Sequence, residues 1–230
     1  MPTSSVPLSP ALSPTPRTTV NRGRKRALAD RERLHEFLAE GLVAHLGVVL
    51  ETHPVVLPAA YGLDLEGPDE GGTLYLHGSV AAGWLAAALA ADVCVTVTEL
   101  DGLVAARSGF HHSMNYRSAV IIGRARLVED PAERGRALDL VVDQMIPGRS
   151  ATLREPTRKE LAATAVLALP LAEASMKARA GDPVDDPADV ESGTWAGIIA
   201  LRRSSAGVVS AADSHEDVPA DVRERAAALA

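Results

Sequence analysis

Apolar and polar positions recur with two different periods along this chain, and the changes of period divide it into elements. Over residues 30–40, DRERLHEFLAE, the apolar residues Leu34, Phe37 and Leu38 fall on one face of a helix, and Gly41 supplies a stop. The segments LVAHLGVVLE and HPVVLPAAYGLD are rich in Val and Leu and read as strands. Pro58 inside the second implies an edge, a bulge or a strand end. DEGGTLYLHG reads as a Gly-Gly turn and a third strand, which makes residues 55–77 a hairpin. Residues 81–91 are an alanine-rich helix. VCVTVTELDGLVAARSGF alternates cleanly, with Val93, Val95 and Val97 on one side and Cys94, Thr96 and Thr98 on the other. Asp101-Gly102 reads there as the turn of a second hairpin.

The rest of the chain is mostly strand. YRSAVIIGRARLVED is extended, Pro131 opens a helix over residues 132–145, and PGR ends it. Thr157 to Glu160 fits a capping box. TAVLALPLAEASMKARAG is a sixth strand with a break at Pro170, and TWAGIIALRR, after an acidic loop, is a seventh. Strands joined by tight turns pair antiparallel. The expected fold is mainly β with flanking helices, a barrel or sandwich with helices outside and no internal repeat. Residues 1–23, rich in Pro, Ser and Thr, read as a disordered tail, followed by a solvated basic lead-in of Arg22, Arg24, Lys25 and Arg26. Residues 24–203 form the domain. Residues 204–230 are a loose tail, with a short helix from Pro219 and Asp217 as its cap.

Composition narrows the function classes. The 230 residues are 47% apolar, enough for one well-buried core. A net charge of −7 and 3% aromatics speak against a nucleic-acid or anionic-membrane partner. One cysteine, Cys94, excludes an intramolecular disulfide framework and a multi-cysteine zinc site, and fits a reducing compartment. The first residues lack a secretory pattern, and the longest apolar run is too short for a bilayer, so the expected location is cytoplasmic.

No GxGxxG, Walker loop, HExxH or GxSxG occurs. Adjacent histidines on a strand point to opposite faces, so His111-His112 does not suggest a shared ion, and no metal is expected. His45, in an apolar strand, reads as a core or interface histidine, and Cys94 as a small buried hydrophobe. His77-Gly78-Ser79 differs. A strand ends there, Gly78 permits close approach, and Ser79 precedes a helix whose first N–H groups can meet an anion. On this local pattern a cap and turn, or a ligand site, both remain open.

Four stretches carry a resemblance: VVLPAAYG; LYLHGS with its helix; HHSMNYRSAVIIGRARLVED; and the pair SMKARAG and TWAGIIAL. In their order and spacing they resemble the pyridoxamine 5′-phosphate oxidase-like split-barrel family of FMN-binding proteins, in its nitroimidazole-resistance (Nim) type. The resemblance implies a six-stranded antiparallel split β-barrel, a homodimer with FMN at the interface, and a small-molecule substrate. It implies a flavin ring along Val56, Leu57, Pro58 and Ala59, and a phosphate at His77, Gly78, Ser79 and the next helix, which carries Trp84. Arg117 and Ser118 fall where the family contacts its cofactor, and Lys177 and Trp195 where segments close over it. His77 is the catalytic candidate, since an imidazole can pass a proton near neutral pH. The implied activity moves electrons from a nicotinamide or similar donor to a small organic acceptor. One departure is plain: the helix at Gly83 lacks the basic residue usual in relatives, and Arg107, Arg117 and Arg124 are the candidates to replace it. That gap leaves a deazaflavin, a haem, or a flavin- or haem-binding sensor without turnover as alternatives. No set of basic residues for a second phosphate is present, which speaks against the pyridoxamine phosphate oxidation itself.

Overall fold

The computed structural model of the protein describes Leu12 and residues 15–230. In chain order its elements are β1 (Ala27–Leu28), α1 (Arg31–Glu40), β2 (Ala44–Leu50), β3 (His53–Ala59), β4 (Tyr61–Asp64), β5 (Thr73–Ser79), α2 (Gly83–Ala90), β6 (Val93–Ala105) and β7 (Ser113–Gly123). They continue with β8 (Arg126–Leu127), α3 (Pro131–Met145), α4 (Arg158–Ala163), β9 (Thr164–Pro170), β10 (Ala174–Arg179), α5 (Pro187–Glu191), β11 (Gly197–Ala200) and α6 (Ala220–Ala228). Asp30 caps α1 and Asp130 caps α3, each through its carboxylate, and Thr157 and Glu160 complete the capping box of α4.

All strand pairs are antiparallel. One sheet runs β1-β10-β7-β6-β2-β3, with β11 beside the second half of β6; the other runs β4-β5-β9-β8. Neither closes on itself, so the barrel is split as the resemblance implies, with eleven strands among the described residues. The first sheet shows period-two burial. Leu46, Val95, Val97, Ala119, Ile121 and Met176 face the core, while His45, Thr96, Thr98, Ser118 and Lys177 lie on its outer face. The second sheet is covered on both sides. Leu74, Leu76, Leu167 and Leu169 join the main core, and Tyr75, Val166 and Ala168 pack against Ala137 of α3. Burial on both faces explains why LYL and AVLAL are continuous apolar runs rather than alternating ones.

Several expected pairings differ. The chain changes sheets between Ala59 and Tyr61, so β3 pairs with β2, and only β4 forms the hairpin with β5. It changes sheets again after Pro170, which divides the expected sixth strand into β9 and β10. Asp101-Gly102 is a bulge inside one long strand and not a turn. A Cβ on Gly102 would lie 3.1 Å from both Ile198 Cγ2 and Ile199 O, so this glycine admits β11. Gly41, which follows α1, is a glycine for a similar reason. Its φ is −68°, and a Cβ there would meet the Tyr61 hydroxyl at 2.4 Å. His45 is exposed and not core, because it occupies an outward position of β2, and Cys94 is half-buried with its thiol pushed up by burial.

Within the expected N-terminal tail, Leu12 is buried and its N–H bonds Ala29 O, while Arg17 pairs with Asp92 and Glu173. Residues 1–11, 13 and 14 lie outside the described residues. At the other end α6 begins after Pro219 without a side-chain cap, so Asp217 does not serve as one. Arg225 Nε donates to Met145 O at 2.8 Å, and Arg149 pairs with Asp221, which holds α6 beside α3. No helix among the described residues is long and apolar enough to cross a membrane.

One polar cluster ties α3 to the second sheet. Arg126 Nε donates to Asp69 at 3.0 Å and Arg126 Nη1 to Glu133 at 3.0 Å, while the Tyr75 hydroxyl donates to Glu133 at 2.9 Å. The Arg126 bonds hold the Glu133 carboxyl below its usual range against burial. Burial raises Asp69, but bonds from Arg126 and Thr73 outweigh it and leave it lowered. Both folded pKa values lie below the unfolded ones, so this stabilisation is present above the usual carboxylate range and is lost as pH falls through it. Arg126→Ala is expected to cost about 1–2 kcal/mol near neutral pH, discounted for the partial exposure of Arg126. Chemical denaturation between pH 7 and pH 3 should show a flatter acid limb than wild type.

The α3–β4 contact gives a second expectation. A Cβ on Gly62 would lie 2.8 Å from Val141 N and 3.0 Å from Leu140 C, both backbone atoms of α3. Gly62→Ala must move that helix, and thermal unfolding should show a loss of about 1–3 kcal/mol.

Candidate functional site

The end of β5 lies where the two sheets and α2 diverge. Alternation along β5 sends Leu76 and Gly78 toward the first sheet, and Tyr75 and His77 toward α3. A cleft of about 300 Å³ opens on the first side, lined by Leu46, Leu57, Pro58, Ala59, His77, Gly78 and Trp84 among others. The Trp84 indole lies over Gly78, where a Cβ would be 2.5 Å from its Cζ2. Gly78 is therefore required for Trp84 to form the cleft wall. Gly83, at the first turn of α2, faces open space. The helix starts at Ala82 without a side-chain cap, so its first N–H groups lack a side-chain acceptor.

Six of the sequence-derived site residues thus meet in one cleft: Leu57, Pro58, Ala59, His77, Gly78 and Trp84. Val56 points outward and is 65% exposed. Ser79 does not cap α2. It is the last residue of β5, and its Oγ accepts from Ala81 N at 3.2 Å, which shapes the turn before the helix. Arg117 and Ser118 are neighbours on β7 and face opposite ways. Arg117 stacks over Phe37 and pairs with Glu40 at 2.6 Å and Asp101 at 3.1 Å. Its guanidinium is raised chiefly by the Asp101 bonds. Ser118 bonds Thr98 at 3.0 Å on the outer sheet face, in register with Lys177. Trp195 is 70% exposed and lies over Gly197 beside β6. None of these six lines the cleft within one protomer. Nor does a replacement cation: Arg107 is held by Asp185 at 2.8 Å, and Arg124 is exposed and is not part of the cleft wall.

His77 also borders a second cleft, which sequence reasoning missed. It has about 420 Å³ and is walled by Leu138, Val141 and Val142 of α3, Leu153, Pro156 and Leu161, with Arg154 and Glu160 at its polar end. Arg154 Nη2 donates to Glu160 at 2.6 Å. The period-two placement of His77 and the apolar face of α3 were readable separately, but not their meeting across 60 residues of chain. A third grouping was also missed. The ligand atoms of His111, Asp186 and Asp189 lie within 4.8 Å of one another.

Comparison with known proteins gives this geometry a family. The family model for pyridoxamine 5′-phosphate oxidase matches residues 30–178. Among solved structures, the flavocytochrome Anf3 from Azotobacter vinelandii is 35% identical, with 93% of this chain and 98% of that chain covered and a TM-score of 0.84. An FAD- and haem-binding protein from Mycobacterium smegmatis is 38% identical, with 87% and 97% covered and a TM-score of 0.79. A candidate 5-nitroimidazole antibiotic resistance protein from Bacteroides thetaiotaomicron, 23% identical with 66% and 85% covered and a TM-score of 0.54, shares the fold. None of the curated proteins matches. The match to the family model over most of the chain, with two relatives above 30% identity along nearly their whole length, makes this chain a member of the pyridoxamine 5′-phosphate oxidase family.

Proposed function

We propose that the protein is a flavin-binding redox protein whose cofactor ring sits in the cleft between β3, β5 and Trp84. The observation that carries this reading is the convergence of Leu57, Pro58, Ala59, His77, Gly78 and Trp84 on one cleft. An apolar floor, an indole wall and one imidazole suit a flat heteroaromatic ring. A bound flavin would supply electron transfer between a nicotinamide-type donor and a small organic acceptor. The chain's own part is narrower. Trp84 and the aliphatic wall exclude water, the free N–H groups of α2 meet phosphate oxygens, and His77 holds or passes a proton at the rim. The name of the Mycobacterium smegmatis relative favours FAD over the FMN expected from sequence. A longer dinucleotide can find its cations outside this cleft, which has none within a protomer.

The second cleft favours an added reading, a haem beside the flavin. It is largely apolar, lies on the opposite side of His77, and carries one imidazole, the group that meets a haem iron; the Arg154 guanidinium at its polar end is paired with Glu160. Haem and flavin would then share His77 as a common boundary. This reading draws support from the two relatives whose names include both groups.

Absorption spectroscopy during separate titrations with FAD, FMN and haemin tests both readings. Saturable uptake of one flavin per chain is expected, weakened by roughly tenfold in Trp84→Ala as its packing is lost. Failure to take up any flavin overturns the first reading. His77→Ala should abolish the shift of the haemin Soret band yet keep flavin uptake, and an unchanged shift removes His77 as a haem ligand.

We also propose a homodimer through the outer face of the first sheet. Val49, Val56, Leu103, Met114 and Ile199 are exposed there, around the Thr98–Ser118 pair and Lys177. A face of this apolar content is ordinarily covered. Light scattering should give twice the chain mass for wild type and a monomer for Val56→Asp.

A further inference from the structure

The described chain has four buried side-chain polar atoms without a hydrogen-bond partner, and three of them belong to one turn: Arg107 Nε, Ser108 Oγ and His111 Nε2. This turn joins β6 to β7, far in sequence from the acidic segment that covers it. An unsatisfied buried polar atom costs about 1–3 kcal/mol, and of these three His111 Nε2 is the one placed beside carboxylates, where a cation would complete it. His111 Nε2 faces Asp186. It lies 3.5 Å from Asp186 Oδ2, and Asp189 brings a third ligand atom within 4.8 Å of both.

We propose that His111, Asp186 and Asp189 form a divalent transition-metal site that clips α5 to the β6–β7 turn. The donor set is one imidazole nitrogen and two carboxylate oxygens, which suits zinc and its neighbours better than calcium or magnesium. The spacing agrees. Ligands about 2.1 Å from a tetrahedral ion lie about 3.4 Å apart, close to the His111–Asp186 separation. The frame is held independently of any ion. Arg107 donates from its backbone N–H at 2.9 Å and from Nη1 at 2.8 Å to Asp185, whose side chain is 1% exposed. This buried bidentate contact holds the acidic segment against the turn one residue before Asp186. The ion would compensate two carboxylates at the start of a short helix and give the His111 lone pair a partner. Three protein ligands leave the remaining coordination positions to water. The site stands apart from both clefts bordered by His77, so it does not depend on the flavin reading.

The test uses the full chain, stripped of metal with a chelator and titrated with Zn²⁺ by calorimetry. One saturable equivalent is expected, together with a rise in thermal midpoint at saturation. His111→Ala and Asp189→Asn should each weaken binding by roughly tenfold or more and remove the rise. His112→Ala, whose ring nitrogen Nδ1 faces Ser108 O, should keep both. Circular dichroism of each variant separates loss of the site from loss of the fold. Uptake without saturation, or uptake equal in wild type, His111→Ala and Asp189→Asn, overturns the proposal.

Discussion

Burial of β5 and β9 on both faces is the constraint from which the rest of the structure follows. Two strands enclosed between a sheet and a helix must satisfy their backbone through each other and their edge partners, since water cannot reach them. Their seven-residue register from Thr73↔Pro170 to Ser79↔Thr164 does this. The same pair sets the distance between the first sheet and α3, because Leu74, Leu76, Leu167 and Leu169 fill one side and Tyr75, Val166 and Ala168 the other. Where β5 outruns this enclosure, its next residues emerge into solvent-accessible space on a rigid strand. His77 and Gly78 are those residues, and both clefts exist because the layers part there.

Charge placement follows a second rule. Arg17, Arg107, Arg117, Arg126, Arg149, Arg154 and Arg203 each pair with a carboxylate. In an acidic chain, arginines near the surface are taken up by neighbours, and a guanidinium with two partners, such as Arg117, does not leave them at little cost. The cleft beside Trp84 is consequently neutral apart from His77. Recognition there within one protomer has to rest on shape, apolar contact and backbone donors.

The local signals were legible and the long-range ones were not. The capping box at Thr157 and the alternation of Val93, Val95 and Val97 depend on neighbouring residues alone, and the structure has them. Asp101-Gly102 misled because a glycine admitting a third strand has the same local pattern as a turn glycine; only β11, nearly 100 residues later, distinguishes them. Arg117 and Ser118 were grouped by resemblance, although strand geometry alone puts them on opposite faces. Residues on β3 and β5 were brought together by the same resemblance, and no periodic pattern would have paired them, since they belong to different sheets. The grouping of His111, Asp186 and Asp189 was invisible because His111 and Asp186 meet only after the acidic segment docks.

The open edge of the first sheet shows why the proposed dimer uses its face. β3 is that edge, and in an antiparallel strand alternate residues direct their backbone groups away from the partner. Pro54, Val56 and Pro58 share this parity opposite Val49, Gly47 and His45. Two of the three lack an N–H, so the edge cannot offer a continuous row of donors to another strand. Edge pairing between copies is thereby disfavoured, while the outer face keeps its apolar side chains, Val56 among them. Pro58, whose place in a strand implied an edge, a bulge or a strand end, sits on that edge, and with Pro54 it would close one mode of association and leave the proposed one.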